Sequence, residues 1–219
     1  VARGMAGALV IKGDRKPTPS TNGDLDTLLY KNGAPIPEKL LVFQQIQYAC
    51  LGKDGNIKVK TDAKGNVVEW VCDPGDTGVI EFYSDANGNG FGPGSWGQSG
   101  RYTSINGQVL ATLPARQGEL ARWRMIHAGV RDTISLQFVK MADGGPAALE
   151  RLAAADGPSF QKTYCVGDPV PFYIVADDGL TDAQARKTTV ATLQPGYRND
   201  LLVVFPKAGN YCMLDADTA

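Results

Sequence analysis

One histidine, four cysteines and a scatter of carboxylates are the groups on this chain that could do chemistry. A Ser-His-Asp or Cys-His relay would have to run through His127, and no Gly-x-Ser-x-Gly elbow accompanies it. A blue-copper centre takes two histidines, one cysteine and a weak axial ligand, so a solitary imidazole cannot build one. Cys50, Cys72, Cys165 and Cys212 contain no Cys-x-x-Cys pair and give no zinc spacing. Four cysteines allow three disulfide pairings. Cys50 with Cys72 would staple one hairpin, and Cys165 with Cys212 would tie a strand entry to the last strand. Four buried, reduced thiols are the alternative. Asp132 and Asp178 fall at turns, where Asp is expected for local hydrogen bonding. Asp85-Ala86-Asn87-Gly88-Asn89-Gly90 matches the first half of a calcium loop. The twelfth position, where such a loop needs a bidentate Glu, is Trp96, so Ser84–Gly100 reads as a plain glycine-rich loop. It also lacks the Gly-Lys-Ser/Thr ending of a phosphate-binding loop. No residue is assigned a catalytic, cofactor-binding or metal-binding role.

The elements around these groups read as β-structure. The run Arg101–Met141 carries the clearest signals. Asn106-Gly107 sits between two extended pieces, which marks a hairpin. Leu120–His127 alternates, with Arg122 and Arg124 on one face and Ala121, Trp123 and Met125 on the other. Parity puts His127 on the Trp123 and Met125 face, as a packed, hydrogen-bonded residue at a strand end. Thr133–Val139 alternates again, with Ile134, Leu136 and Phe138 inward. One wet face per strand is expected of an antiparallel sandwich.

Elsewhere, Glu38–Tyr48 reads as a buried strand turning amphipathic. Ile57–Lys60 and Val67–Trp70 flank a turn and form a hairpin excursion within Cys50–Ile80. Pro171–Ala176 is a strand ending at the turn Asp177-Asp178-Gly179. Leu201–Phe205 is a core strand entered through Pro195-Gly196, with Arg198 and Asp200 as a structural pair at its entry. Lys12–Pro37 is polar and rich in Pro, Gly, Ser and Thr, so it reads as a linker with one helical turn near Asp24–Tyr30. Pro146–Ala154 opens with Pro, is rich in helix formers and is followed by Gly157 as a stop. It is predicted to be a short inserted helix covering one sheet edge.

The chain is long enough, at 219 residues, for a sizeable core. A net charge of −1 gives no electrostatic case for nucleic acid or an anionic membrane surface. No apolar run approaches the roughly 20 residues needed to span a bilayer. With 26 Gly and 13 Pro, the composition suits many short strands and turns.

Three segments carry a family resemblance. Ile105-Asn106-Gly107-Gln108, then Gly118-Glu119, then Arg122-Trp123-Arg124-Met125-Ile126-His127-Ala128-Gly129 resembles the second domain of three-domain multicopper oxidases, the laccase-like enzymes. His127 stands where many members have Asn. Gly4–Ile11, "GMAGALVI", resembles the end of their first domain. Ala176 through Asp178-Gly179, Leu193 through Leu202, and Ala208 through Tyr211 resemble the close of the second.

The resemblance implies an all-β fold: a cupredoxin-like Greek-key sandwich over residues 38–219, a terminal strand of a preceding domain at 1–11 and a linker at 12–37. It implies a middle domain with no copper ligands of its own, inactive alone. The parent would oxidise phenols or metal ions and reduce dioxygen to water, with copper held in flanking domains one and three. Those domains are the implied partners, and a periplasmic or extracellular location the implied setting, which also favours disulfides. A non-enzymatic cupredoxin-like scaffold or cell-envelope binding protein, lacking copper, is the rival from another class. A third is a free-standing sandwich module that binds a glycan or protein through the glycine-rich loop.

Overall fold

The computed structural model describes residues 5–56, 58–65, 67–71, 73–80, 101–129, 133–145 and 157–216. The chain runs α1 (Leu25–Leu28), β1 (Tyr30–Lys31), β2 (Ala34–Pro35), β3 (Glu38–Leu51), β4 (Val59–Thr61), β5 (Val67–Trp70), β6 (Thr77–Ile80), β7 (Arg101–Ile105) and β8 (Gln108–Val109). It continues through β9 (Ala121–His127), β10 (Ile134–Lys140), α2 (Gly157–Tyr164), β11 (Phe172–Asp177), β12 (Leu180–Thr188), β13 (Ala191–Leu193), β14 (Arg198–Val203) and β15 (Tyr211–Asp215). The described residues are all-β apart from the two short helices, and two sheets hold the fold.

The larger sheet orders its strands β12-β11-β14-β9-β3-β7-β8, with β6 pairing the far end of β3. The smaller is β13-β10-β15. Neighbouring strands run antiparallel, except that β3 and β9 run parallel with Leu41 opposite Met125. Between the sheets lies one apolar core. The large sheet gives it Leu41 and Phe43 from β3, Trp123 and Met125 from β9, and Leu201 and Val203 from β14. The small sheet gives Ile134, Leu136 and Phe138 from β10, and Leu193 from β13. Trp123 meets Phe138 edge-on, with ring centroids 5.3 Å apart, a favourable quadrupolar arrangement.

Three hairpins close on paired positive-φ residues, as type I′ turns require. These are Asn32-Gly33, Asn106-Gly107 and Asp178-Gly179. Asn106 does more than turn the chain. Its side-chain Oδ1 accepts the Val42 N–H at 2.9 Å, and its Nδ2 donates to the Leu40 carbonyl at 2.9 Å. β7 pairs β3 only from Phe43 onward. Asn106 thus supplies the two bonds that the ladder would otherwise lack at Leu40 and Val42.

The outer faces are less wet than alternation suggests. α2 lies over the small sheet, where Phe160, Tyr164 and Cys165 pack on Val139, Met141 and Cys212. The expected helix at Pro146–Ala154 and the glycine-rich loop Ser84–Gly100 lie outside the described residues. Gly157, read as a helix stop, instead begins α2, because Pro158 suits a first helical turn and Phe160 and Tyr164, one turn apart, supply an apolar face. α2 covers a face of the small sheet. Cys165 and Cys212 are joined by a disulfide that closes a separation of 47 residues and fixes the end of α2 to β15. Cys50 is also disulfide-bonded, and Cys72 lies outside the described residues.

The segment 12–37, expected to be a linker, is packed on the sandwich. Leu25 packs with Val175 and Ala176 of β11, and Ile36 is buried. Met5–Ile11 makes no strand pairing among the described residues, and Met5, Leu9 and Ile11 are exposed.

Replacing Asn106 by Gly keeps the turn conformation and removes both side-chain bonds. The expected cost is about 1–3 kcal/mol in chemical denaturation, from two hydrogen bonds whose backbone partners lose them. Replacing Cys165 and Cys212 together by Ala should cost about 4 kcal/mol by the loop-entropy relation, measured the same way with the other cysteines intact.

Candidate functional site

Three places could hold chemistry: the lone histidine, a cluster of charges on the large sheet, and a cavity between the sheets.

His127 closes β9 and has no solvent exposure. Its backbone N–H donates to the Tyr197 carbonyl at 2.9 Å, and its own carbonyl accepts the Gly196 N–H at 2.8 Å. The ring Nδ1 accepts the Gly129 N–H at 3.0 Å. An accepting Nδ1 places the proton of the neutral ring on Nε2. Residue 129 must be Gly for this fit, because a Cβ there would lie 2.6 Å from His127 Cε1 and from Gln45 Oε1. The imidazole faces the core side of β9, as alternation predicted, shut off from solvent and from any external substrate.

The charge cluster gathers around Arg122, which is only 6% exposed at the side chain. Alternation places Arg122 and Arg124 on one face of β9, and the sequence reading left that face wet. The structure covers it with the linker. Arg122 Nε donates to Asp200 Oδ2 at 3.0 Å, and its Nη2 pairs with the same carboxylate. Its Nη1 donates to Asp26 Oδ1 at 2.9 Å and lies 3.6 Å from Glu38. Arg124 approaches Glu38 at 3.7 Å and Asp200 at 3.5 Å. Lys12 reaches Glu38 at 3.2 Å and Asp26 at 3.6 Å. Three cations meet three carboxylates, so the cluster is neutral as a whole.

Asp200 therefore pairs with Arg122 and Arg124, not with Arg198 as the sequence reading had it. Two residues apart on a strand, Arg198 and Asp200 stand nearly 7 Å from one another along the backbone. Arg124 lies directly opposite Asp200 across the β14–β9 ladder, where side chains are closer. Arg198 turns to Asp178 instead: its Nη2 donates to the Asp178 carbonyl at 3.0 Å, and its backbone N–H to Asp178 Oδ1 at 3.0 Å.

Asp26 feels opposing influences. Burial pushes its carboxyl up, while the Gly13 N–H and the Arg122 guanidinium pull it down. The net result lies below the ordinary carboxylate value. The chemistry of the cluster is cohesion, joining the linker to β9 and β14.

The cavity, about 760 Å³, opens between the sheets. Trp123, Phe138 and Phe205 line its inner end, and the segments Leu110–Gln117 and Lys207–Asn210 form much of its wall. No motif in the sequence points to it.

Among the described residues, the imidazole and the sulfur groups are not arranged as copper ligands. The one imidazole is buried with Nδ1 engaged. Cys50, Cys165 and Cys212 are all in disulfides, so none offers a thiolate. Among the described residues, no group of three His, Cys, Asp or Glu is arranged to hold a metal ion. Asp132 lies outside the described residues. Asp178 sits at the β11–β12 turn with Arg198.

No family model matches the chain, and no curated protein matches it. Solved structures similar to it include the 2F4 variant of the McoA multicopper oxidase from Aquifex aeolicus, at 13% identity and a TM-score of 0.41 over 80% of this chain and 25% of that one. A laccase from Pediococcus acidilactici is similar at 17% identity and a TM-score of 0.42, over 83% of this chain and 26% of that one. A blue copper oxidase from Nitrosomonas europaea is similar at 14% identity and a TM-score of 0.39, over 82% of this chain and 36% of that one. The chain thus spans about a quarter to a third of the length of these proteins.

Arg122→Ala should destabilise the fold by about 3–5 kcal/mol in chemical denaturation, because it strands buried carboxylates. Because Asp26 titrates below its unfolded value, its contribution is complete at neutral pH and is lost as pH falls through the lowered pKa, under about pH 4. Proteolysis within Gly13–Ile36 should accelerate in that acid range for the native chain. With Asp26→Asn, cleavage should be faster at neutral pH and depend less on acid.

Proposed function

We propose that residues 38–219 are the middle, copper-ligand-free cupredoxin-like domain of a laccase-like multicopper oxidase. In this reading residues 12–37 are the interdomain linker and residues 1–11 the closing strand of the preceding domain. The domain spaces domains one and three, its partners, and the parent's oxidation of phenols or metal ions, coupled to reduction of dioxygen to water, takes place on copper held outside these residues. A periplasmic or extracellular setting belongs to the same reading, and the Cys165–Cys212 disulfide favours it.

One observation carries the proposal. Several of the residues that resemble the oxidase middle domain fall on the large sheet and serve its construction. Asn106-Gly107 stitches β7 to β3, Arg122 and Arg124 on β9 meet Asp200 on β14, and Gly196 with Tyr197 bonds to both backbone groups of His127. The residues of the resemblance act as framework, which is what a spacer requires and a catalytic domain would exceed.

The test is copper loading of the isolated chain, followed by dialysis, metal analysis and a phenol-oxidation assay. The expected result is no retained stoichiometric copper and no turnover. A tightly held copper ion with sustained oxidation would overturn the proposal. The parent polypeptide gives a second check: His-x-His pairs before residue 1 and a His-Cys-His run after residue 219 are expected, and their absence would favour the non-enzymatic scaffold.

A further inference from the structure

We propose that the cavity between the sheets is a binding site for an organic carboxylate with an apolar body, such as an aryl or alkyl carboxylate. The site is separate from the spacer role and does not depend on it. At about 760 Å³ the cavity is of the size that encloses a small organic ligand. Its inner end is aromatic: Trp123 and Phe138 pack edge-on, and Phe205 joins both, with ring centroids 5.8 Å and 5.6 Å away. Leu110 on the wall is 38% exposed and holds a φ of +53°, a conformation that costs a leucine about 1–2 kcal/mol. The chain bears that cost where it leaves β8 to form the wall segment ending at Gln117.

The outer end is cationic. Arg116 and Lys207 line the cavity on two segments that are tied together. The Gly118 N–H donates to the Phe205 carbonyl at 2.9 Å, and Gln117 Nε2 donates to the Pro206 carbonyl at 3.2 Å. Tyr211 Oη donates to the Lys207 carbonyl at 2.9 Å, which steadies the second segment. Lys140 does not line the cavity but lies behind this wall, since a Cβ on Gly209 would lie 3.2 Å from its Nζ. Glu119 pairs with Arg116 at 3.9 Å and Asp143 pairs with Lys140 at 3.9 Å; the Arg116 side chain is 86% exposed, and a surface pair of this kind is weak enough to yield to a bound anion. Asp215 also lines the cavity, but it accepts the Ser135 N–H at 2.9 Å and lies four residues along β15 from Tyr211, roughly 13 Å away. An anionic head held between Arg116 and Lys207, with its apolar body directed at the aromatic end, satisfies both halves of the cavity.

The experiment titrates the purified chain with 8-anilinonaphthalene-1-sulfonate, an aryl anion whose emission rises in apolar surroundings, and then displaces it with decanoate or decanol. The expected result is saturable binding at one site, with decanoate displacing the probe about tenfold better than decanol, the summed worth of two exposed cations. The double variant Arg116→Gln, Lys207→Gln should lose that preference. Ala111→Trp and Gln161→Trp fill the cavity from opposite walls, and whichever keeps a cooperative thermal transition should lose the site. Unsaturable binding, equal displacement by decanol, or full probe affinity in a folded cavity-filling variant would each overturn the proposal.

Discussion

A guanidinium buried on the outer face of a central strand constrains most of this fold. Removing Arg122 from water costs several kcal/mol unless its donors are met by charge at good geometry. Its partners come from three distant parts of the sequence: Asp26 before β1, Glu38 at the start of β3, and Asp200 on β14. No pair of these elements can separate without stranding a charge in a low-dielectric setting. The alignment of β14 on β9, the parallel pairing of β3 beside β9, and the path of the linker are consequently parts of one condition.

That condition explains why the outer face of β9 departs from simple alternation. Seen alone, Ala121–His127 is a strand with apolar residues inward and arginines outward, and the inward half was legible. Trp123, Met125 and His127 all face the core as parity required. The outward half was not legible, because solvent was assumed where the linker lies. The pairing of charges depends on register between strands some 80 residues apart, and no local pattern encodes it. The same limit accounts for Arg198. Sequence proximity suggested Asp200, but cross-strand neighbours stand closer than residues two apart on one strand.

Local chemistry was legible where the backbone demands particular residues. Asn106-Gly107 and Asp178-Gly179 must take positive φ, and few residue types do so readily. β12 was missed for the converse reason. Leu180–Thr188 is a sheet edge with most of its side chains exposed, so it needs no apolar face and presents no period to read. Its charged residues also suit an edge that must not recruit another strand. The cavity was invisible for a third reason. Its lining comes from segments spread between Phe43 and Asp215, which no single segment records by itself.

The linker's docking bears directly on the spacer reading. A polar stretch rich in Pro, Gly, Ser and Thr ordinarily behaves as a flexible tether. Here it is held at several points: Arg15 pairs with Asp24, Lys12 with Glu38, Leu25 packs on β11, and Asp26 meets Arg122. The surface pairs contribute little singly, but the Asp26 contact is bound to the desolvated centre and cannot yield without cost. Any residues that precede Lys12 therefore leave the sandwich from a fixed point and direction. On the proposed spacer reading, the domain contributes position, and the Arg122 cluster is the part of the molecule that would convert sheet packing into that position.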